Sequence, residues 1–317
     1  MYAPIAGGPI VAGGDRLPSF VMTRTGPLVP LDKRPLDDAV DPSESLAFGN
    51  RSFHSSNRGN AMTTLTTAAP ASVSIPTWST RQILALWAAA ALPMAALAWV
   101  VAPTLAHAFS GDAAFVQALI LCLTAGLIWQ FALVLIVVRR EQGTLRWPVV
   151  KAALWLSPPT SPRTGKQGGR LWWLILVGAL LLALEEMLPS IPSPVSRDQA
   201  AFFGSSQGQA WMSGNWTWLA ILIVLFVFNT VLGEELLFRG LMLPRMARFG
   251  RADWVVNGVL FACYHLHEPW VIPQTILVDT FAEAGLSRRY RSALIGIAVH
   301  STQTVFFLII GLTLVLK

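Results

Sequence analysis

Residues 115–138, FVQALILCLTAGLIWQFALVLIVV, carry no charged side chain, and the run stops abruptly at Arg139-Arg140. At about 1.5 Å per residue, a helix of that length spans the ~30 Å hydrocarbon core of a bilayer. The stretch therefore reads as a transmembrane helix, and its neighbours repeat the pattern. Ile83–Val101, Leu171–Leu184, Trp216–Gly233 and Ala293–Leu316 are comparably apolar. Two shorter stretches, Trp254–His267 and Trp270–Ala282, are separated by Glu268-Pro269 and read as two short helices turning at that proline. Trp147–Leu156, with Lys151 in its middle, is too short to span and reads as an interfacial amphipathic helix. The expected fold class is all-α, a polytopic transmembrane helix bundle of about seven spans.

Composition supports that class. Of 317 residues, 54% are hydrophobic and only 13% charged, about half the ~25% charged share of a soluble domain. Mean hydropathy is +0.54 and the pI near 9.9. A net charge of +6 would suit nucleic acid, but its distribution does not. Residues 1–80 hold six Lys/Arg and six Asp/Glu, whereas residues 81–317 hold seventeen against eleven. The whole excess lies between apolar spans, so no nucleic-acid partner is expected. Cys122 and Cys263 both fall in apolar segments and offer no disulfide framework.

Residues 1–80 are rich in Pro, Gly, Ser and Thr and contain no apolar run able to pack. Such a segment cannot offset its ordering entropy, so a disordered N-terminal tail over 1–80 and a bundle over 81–317 are expected. Loop 139–170 holds seven Lys/Arg, 239–251 four and 288–291 three, while 104–114 and 189–215 hold only Arg197. Seven spans put the basic segments on one face, which the positive-inside rule makes cytoplasmic, together with the N-terminus.

Ionisable groups inside spans cost at least ~2.5–3.5 kcal/mol each at a helix centre, and so mark function. Glu234-Glu235 with Arg239, His265 and His300 stand out. Measured from the basic end of each helix, Glu234, His265 and His300 fall at roughly 20, 21 and 14 Å. Glu235 and Arg239 are spaced i,i+4 and can pair across one turn. Pairing makes burial of both tolerable. Glu234 points about 100° away and is left free as a general base. Phe261 and His265 share a face at the same spacing, as do His300 and Thr304, with Gln303 beside them. A water-filled cavity open to the cytoplasmic side is implied by any hydrolysis at this depth.

Three segments in order, Gly233-Glu234-Glu235-Leu236-Leu237-Phe238-Arg239-Gly240, Phe261-Ala262-Cys263-Tyr264-His265 and Leu286 to Gln303, read as EExxxR, FxxxH and a basic turn followed by a histidine in an apolar helix. They resemble the CPBP family of intramembrane proteases, which includes CAAX prenyl endopeptidases and the Abi proteins linked to bacteriocin self-immunity. The resemblance covers about residues 170–317. It implies that Glu234 activates a water, that His265 binds or polarises it, and that His300 completes the site. Glu235 and Arg239, with Phe261, would support the site's shape. Where the family usually carries an oxyanion-stabilising Asn, this chain has Thr304, with Gln303 one residue earlier. The resemblance also implies Zn²⁺ as a candidate cofactor, with Glu234, His265 and His300 as its ligands, although a Glu/His pair can activate water without an ion.

The expected function is thus an intramembrane endopeptidase acting on a membrane-associated protein or peptide in the lipid bilayer, probed first at Glu234, His265 and His300. The plasma (inner) membrane is the expected location. Two alternatives remain open on the sequence. One is a catalytically weak or inactive immunity or scaffold protein of the same fold, suggested by Thr304. The other is a proton-coupled transporter, against which the lack of an internal repeat argues.

Overall fold

Ser79 starts the bundle. Its hydroxyl accepts from the Gln82 backbone while the Gln82 side chain accepts from the Ser79 backbone, a reciprocal cap read directly from Ser-Thr-Arg-Gln. The computed structural model describes residues 73–185, 187–189, 191–194 and 197–317, so most of the expected disordered tail, residues 1–72, lies outside the described residues. From Ser79 onward the described secondary structure is helical, apart from one isolated antiparallel bridge between Thr160 and Gln167.

Four helices are long and apolar enough to cross a membrane: α1 (Thr80–Ala106), α2 (Ala114–Gln142), α7 (Trp216–Arg245) and α11 (Ala293–Val315). Their outward faces expose Leu92, Val100, Ile128, Val224, Phe306 and Ile309. Large apolar side chains in that number on helix faces are stable only against lipid, and the chain is an integral membrane protein. Gly143, with φ of 70°, closes α2 in the left-handed conformation just past Arg139 and Arg140. The expected fourth span does not stop at Gly233. It runs on through the acidic motif to Arg245, because every residue from Leu236 to Leu243 is buried and Pro244 falls only in its last turn.

The other apolar stretches form shorter elements. These are α3 (Trp147–Ala153), the expected interfacial helix, and α4 (Leu174–Glu185) after a 3₁₀ turn at Gly169–Trp173. Then come α5 (Gln199–Gly204) and α6 (Ser206–Met212), capped by Asp198 and Ser205, and α8 (Asp253–Tyr264). Finally, α9 (Ile272–Asp279) continues through a π turn, Thr280–Gly285, into α10 (Leu286–Tyr290). Both α4 and α8 have 12 residues, about 18 Å of helix, short of a ~30 Å core. Of the seven expected spans, four therefore have full crossing length among the described residues.

A helix that ends inside a membrane leaves carbonyls that only protein or enclosed water can satisfy. Around the end of α8 the donors come largely from tryptophans of α1. Trp87 Nε1 donates to Leu260 O and Trp99 Nε1 to Leu266 O, both at 2.8 Å. The basic end of α7 is fixed to α2 in a similar way. Arg245, fully buried, donates from Nε to Glu141 Oε2 at 2.9 Å and from Nη1 to Leu241 O at 2.8 Å, and Trp78 Nε1 donates to Glu141 Oε1 at 2.8 Å. Between these two anchors lies the polar centre of the bundle.

Candidate active site

Around Glu234-Glu235, α7 departs from regular α-helix. Two π stretches, Val227–Gly233 and Leu236–Met242, flank the pair, and the Glu234 N–H donates to Asn229 O, five residues back. Such wide turns are rare and concentrate at functional sites. They also shift residue directions from the regular 100° step, yet the expected pairing persists: Arg239 Nη1 lies 3.2 Å from Glu235 Oε1 with both side chains fully buried. The guanidinium carbon sits 3.9 Å from the centre of the Phe261 ring, a desolvated cation on an aromatic face. Asn257 of α8 donates to Phe238 O at 2.9 Å and ties the second helix to the motif.

The other partner of Arg239 is Glu283, which the sequence reading passed over. Arg239 Nη2 pairs with Glu283 Oε2, in the π turn between α9 and α10. His300 of α11 places Nδ1 3.4 Å from Glu235 Oε1 and 3.7 Å from Glu283 Oε1. Three elements thus meet on one buried guanidinium. Asp279, also buried, acts electrostatically on this group. A signal for Glu283 existed: Asp279 and Glu283 are two acids at i,i+4 beside an apolar stretch.

Glu234 is 3% exposed and is not the partner of Arg239 in an ion pair. The ionisable side chains nearest to it in effect are those of His300, His267, Glu235 and Glu268. Tyr264 lies near enough to act on it electrostatically. The Tyr264 hydroxyl accepts from Gln130 Nε2 of α2 at 2.6 Å. Neither Gln130 nor Tyr264 was singled out in the sequence, because a polar residue at one position in a span gives no sign of which neighbour it meets.

His265 is the residue that ends α8, half-buried, with its ring edge-on to Phe261 at 5.1 Å. The expected shared face is therefore kept, although the helix itself stops at Tyr264. His265 Nδ1 lies 3.1 Å from Phe261 O. A carbonyl only accepts, so the ring hydrogen is on Nδ1 and Nε2 is left as an acceptor. His267 lies in the turn that follows α8 and is buried, with Nε2 3.2 Å from Glu268 Oε1. Thr304 pairs its hydroxyl with that of Thr230, one turn before Glu234, and Gln303 is half-buried beside it.

Beside this turn lies a small cleft of about 10 Å³, lined by His267, Glu268, Trp270, Arg197 and Gln199 among others.

The ligand set expected for Zn²⁺ is not the set the fold gathers. Among the described residues, the ligating atoms that lie within 4.8 Å of one another belong to Glu235, Glu283 and His300. Arg239 already bridges those two carboxylates, and a divalent ion there would face a fixed, buried cation. These residues do not fit a metal, and no step below passes through one.

Comparison with known proteins places the motif helix. Residues 215–306 match the family described as type II CAAX prenyl endopeptidase Rce1-like. The chain carries the CPBP-type segment. The match spans α7 to the middle of α11 and so takes in Glu234, Glu235, Arg239, His265, Glu283 and His300. No curated protein and no solved structure matches the chain.

Proposed function

We propose that this protein is an intramembrane endopeptidase that hydrolyses a peptide bond of a membrane-associated protein with a water activated by Glu234. The observation that carries the reading is the state of Glu234: buried, outside the Arg239 ion pair, and within the Rce1-like segment. Glu235, Arg239 and Glu283 form a rigid base that holds His300 and the motif helix in register.

In the reaction, the water oxygen bonds to the substrate carbonyl carbon as one water proton passes to the Glu234 carboxylate. The carbonyl π pair moves onto oxygen, where Gln303, Thr304 or His300 donates a hydrogen bond. Collapse of that oxyanion breaks the C–N bond, and Glu234 returns the proton to the leaving amine. His265, with its hydrogen held by Phe261 O, presents Nε2 as an acceptor that polarises water. Prenylated proteins are one substrate class consistent with the Rce1-like match. Seven crossings, a cytoplasmic N-terminus and the inner membrane complete the proposal.

The test is Glu234→Ala in proteoliposomes with a membrane-anchored reporter. Cleavage should fall by about 10²–10⁴-fold, the usual contribution of a general base. Unchanged cleavage overturns the assignment. A second reading, a non-catalytic immunity or scaffold protein of the same fold, is favoured by the pairing of Thr304 with Thr230 where the family carries an Asn. On that reading Glu234→Gln preserves the phenotype, and only Arg239→Ala disrupts the protein.

A further inference from the structure

The segment that joins α2 to α4 presents positive charge and large apolar side chains together. Arg146, Lys151, Arg163, Lys166 and Arg170 are all exposed, as are Arg139 and Arg140 where α2 ends. The one carboxylate of that segment, Glu141, is taken up by Arg245 and Trp78. Among the cations stand Leu145, 43% exposed, Trp147, 64% exposed, and Trp173, 69% exposed. Indoles beside basic side chains fit the headgroup level of a bilayer, where each has an apolar body and a wet end.

This segment is stitched to the turn in which α11 begins. The Thr160 N–H donates to Tyr290 O at 2.8 Å, and the Ala293 N–H donates to Trp155 O at 3.0 Å. Ser292 Oγ donates to Ser157 O at 2.5 Å. Across the join, the Arg291 guanidinium lies 5.7 Å from the centre of the Trp155 ring. Both residues hold left-handed backbone, with φ of 51° at Trp155 and 49° at Arg291, and among the described residues no other non-glycine does. Such a conformation persists only where its surroundings enforce it. The join brings the exposed Arg289 and Arg291 to the same basic segment, while the neighbouring Arg288 is spent on Asp253. A loop that served topology alone would need charge, but neither a fixed shape nor exposed indoles.

We propose that this basic face is a binding site for the headgroups of anionic phospholipids in the surrounding bilayer. The phosphodiester oxygens accept from the Lys and Arg side chains, while Leu145, Trp147 and Trp173 enter the boundary with the acyl chains. Bound lipid thereby fastens the join from which α11 carries His300 inward. The site is independent of the reaction that the buried residues perform.

The test places a fluorophore on Thr164→Cys, an exposed loop position, in the full-length protein without Cys122 and Cys263. In phosphatidylcholine bilayers, its quenching by spin-labelled phosphatidylglycerol and by spin-labelled phosphatidylcholine gives the relative amount of each lipid at the loop. Phosphatidylglycerol should be preferred about fivefold or more, the equivalent of one Lys or Arg at an anionic surface. Lys151→Gln, Arg163→Gln, Lys166→Gln and Arg170→Gln combined should bring the preference close to one. So should about 1 M NaCl, which cuts the screening length to about 3 Å. In detergent, phosphatidylglycerol should raise the melting temperature of wild type by about 2 °C or more over phosphatidylcholine, and leave that of the fourfold variant unchanged. Equal quenching by the two lipids overturns the proposal, as does a folded variant that keeps the preference. Where the variant fails to fold, the salt series decides, because a preference that survives high salt is not made by exposed cations. A melting temperature raised as much by inorganic phosphate assigns the face to a soluble anion and overturns it as a lipid site.

Discussion

Gly296 is where α11 comes closest to the motif helix. A Cβ there would lie 2.5 Å from Glu235 Oε2 and 2.7 Å from Ser287 Oγ. Only a residue without a side chain allows His300, one turn later, to reach the Glu235–Arg239 pair. Gly296→Ala should therefore cost about 1–3 kcal/mol through overpacking and also depress cleavage by displacing Glu235. A melting temperature equal to that of wild type would mean that α11 does not approach α7 this closely. The pair itself was legible: Glu235 and Arg239 are four apart in an apolar run, and burial of either demands the other. The third member was not, because Glu283 is 44 residues from Arg239 and no helical spacing connects them.

Elements show the same division. The apolar runs placed α1, α2, α7 and α11 well, since length and the absence of charge are properties of a single segment. Their π turns were invisible, because a ladder shifted by one residue leaves the hydropathy pattern unchanged. One such turn in α1 has a consequence that can be measured. Over Leu97–Val101 the Ala102 N–H bonds to Leu97 O, and the next residue, Pro103, has no N–H to offer Ala98 O. Ala98 is fully buried, and Arg197 Nη1 supplies the missing bond at 3.1 Å while its guanidinium lies 3.7 Å over the Trp99 ring. Arg197→Leu should cost about 1–3 kcal/mol by leaving that carbonyl unsatisfied. Adding Pro103→Ala should recover part of the loss by restoring a backbone donor. Double-mutant melting measures the coupling, and simple additivity of the two changes would refute this account.

At the scale of the whole molecule, orientation is the open quantity with a direct measurement. In a variant lacking Cys122 and Cys263, single cysteines at Ser110, Ser213 and Thr164 occupy exposed positions on the two faces. A membrane-impermeant maleimide applied to intact spheroplasts should label Ser110→Cys and Ser213→Cys but not Thr164→Cys, as the basic loops require. The reverse pattern inverts the topology and turns the cleft beside His267 toward the cytoplasm. The sequence by itself determined that the chain is helical, that it lives in lipid, and that a few ionisable residues stand out within its apolar segments. Those conclusions rest on composition and local spacing, which each segment carries alone. Only the tertiary structure decided which charges meet, that Glu283 shares Arg239 with Glu235 and that His300 lies against both carboxylates. Such meetings join elements far apart in sequence, and their geometry is set by helix ends, wide turns and close glycine contacts that no periodicity records.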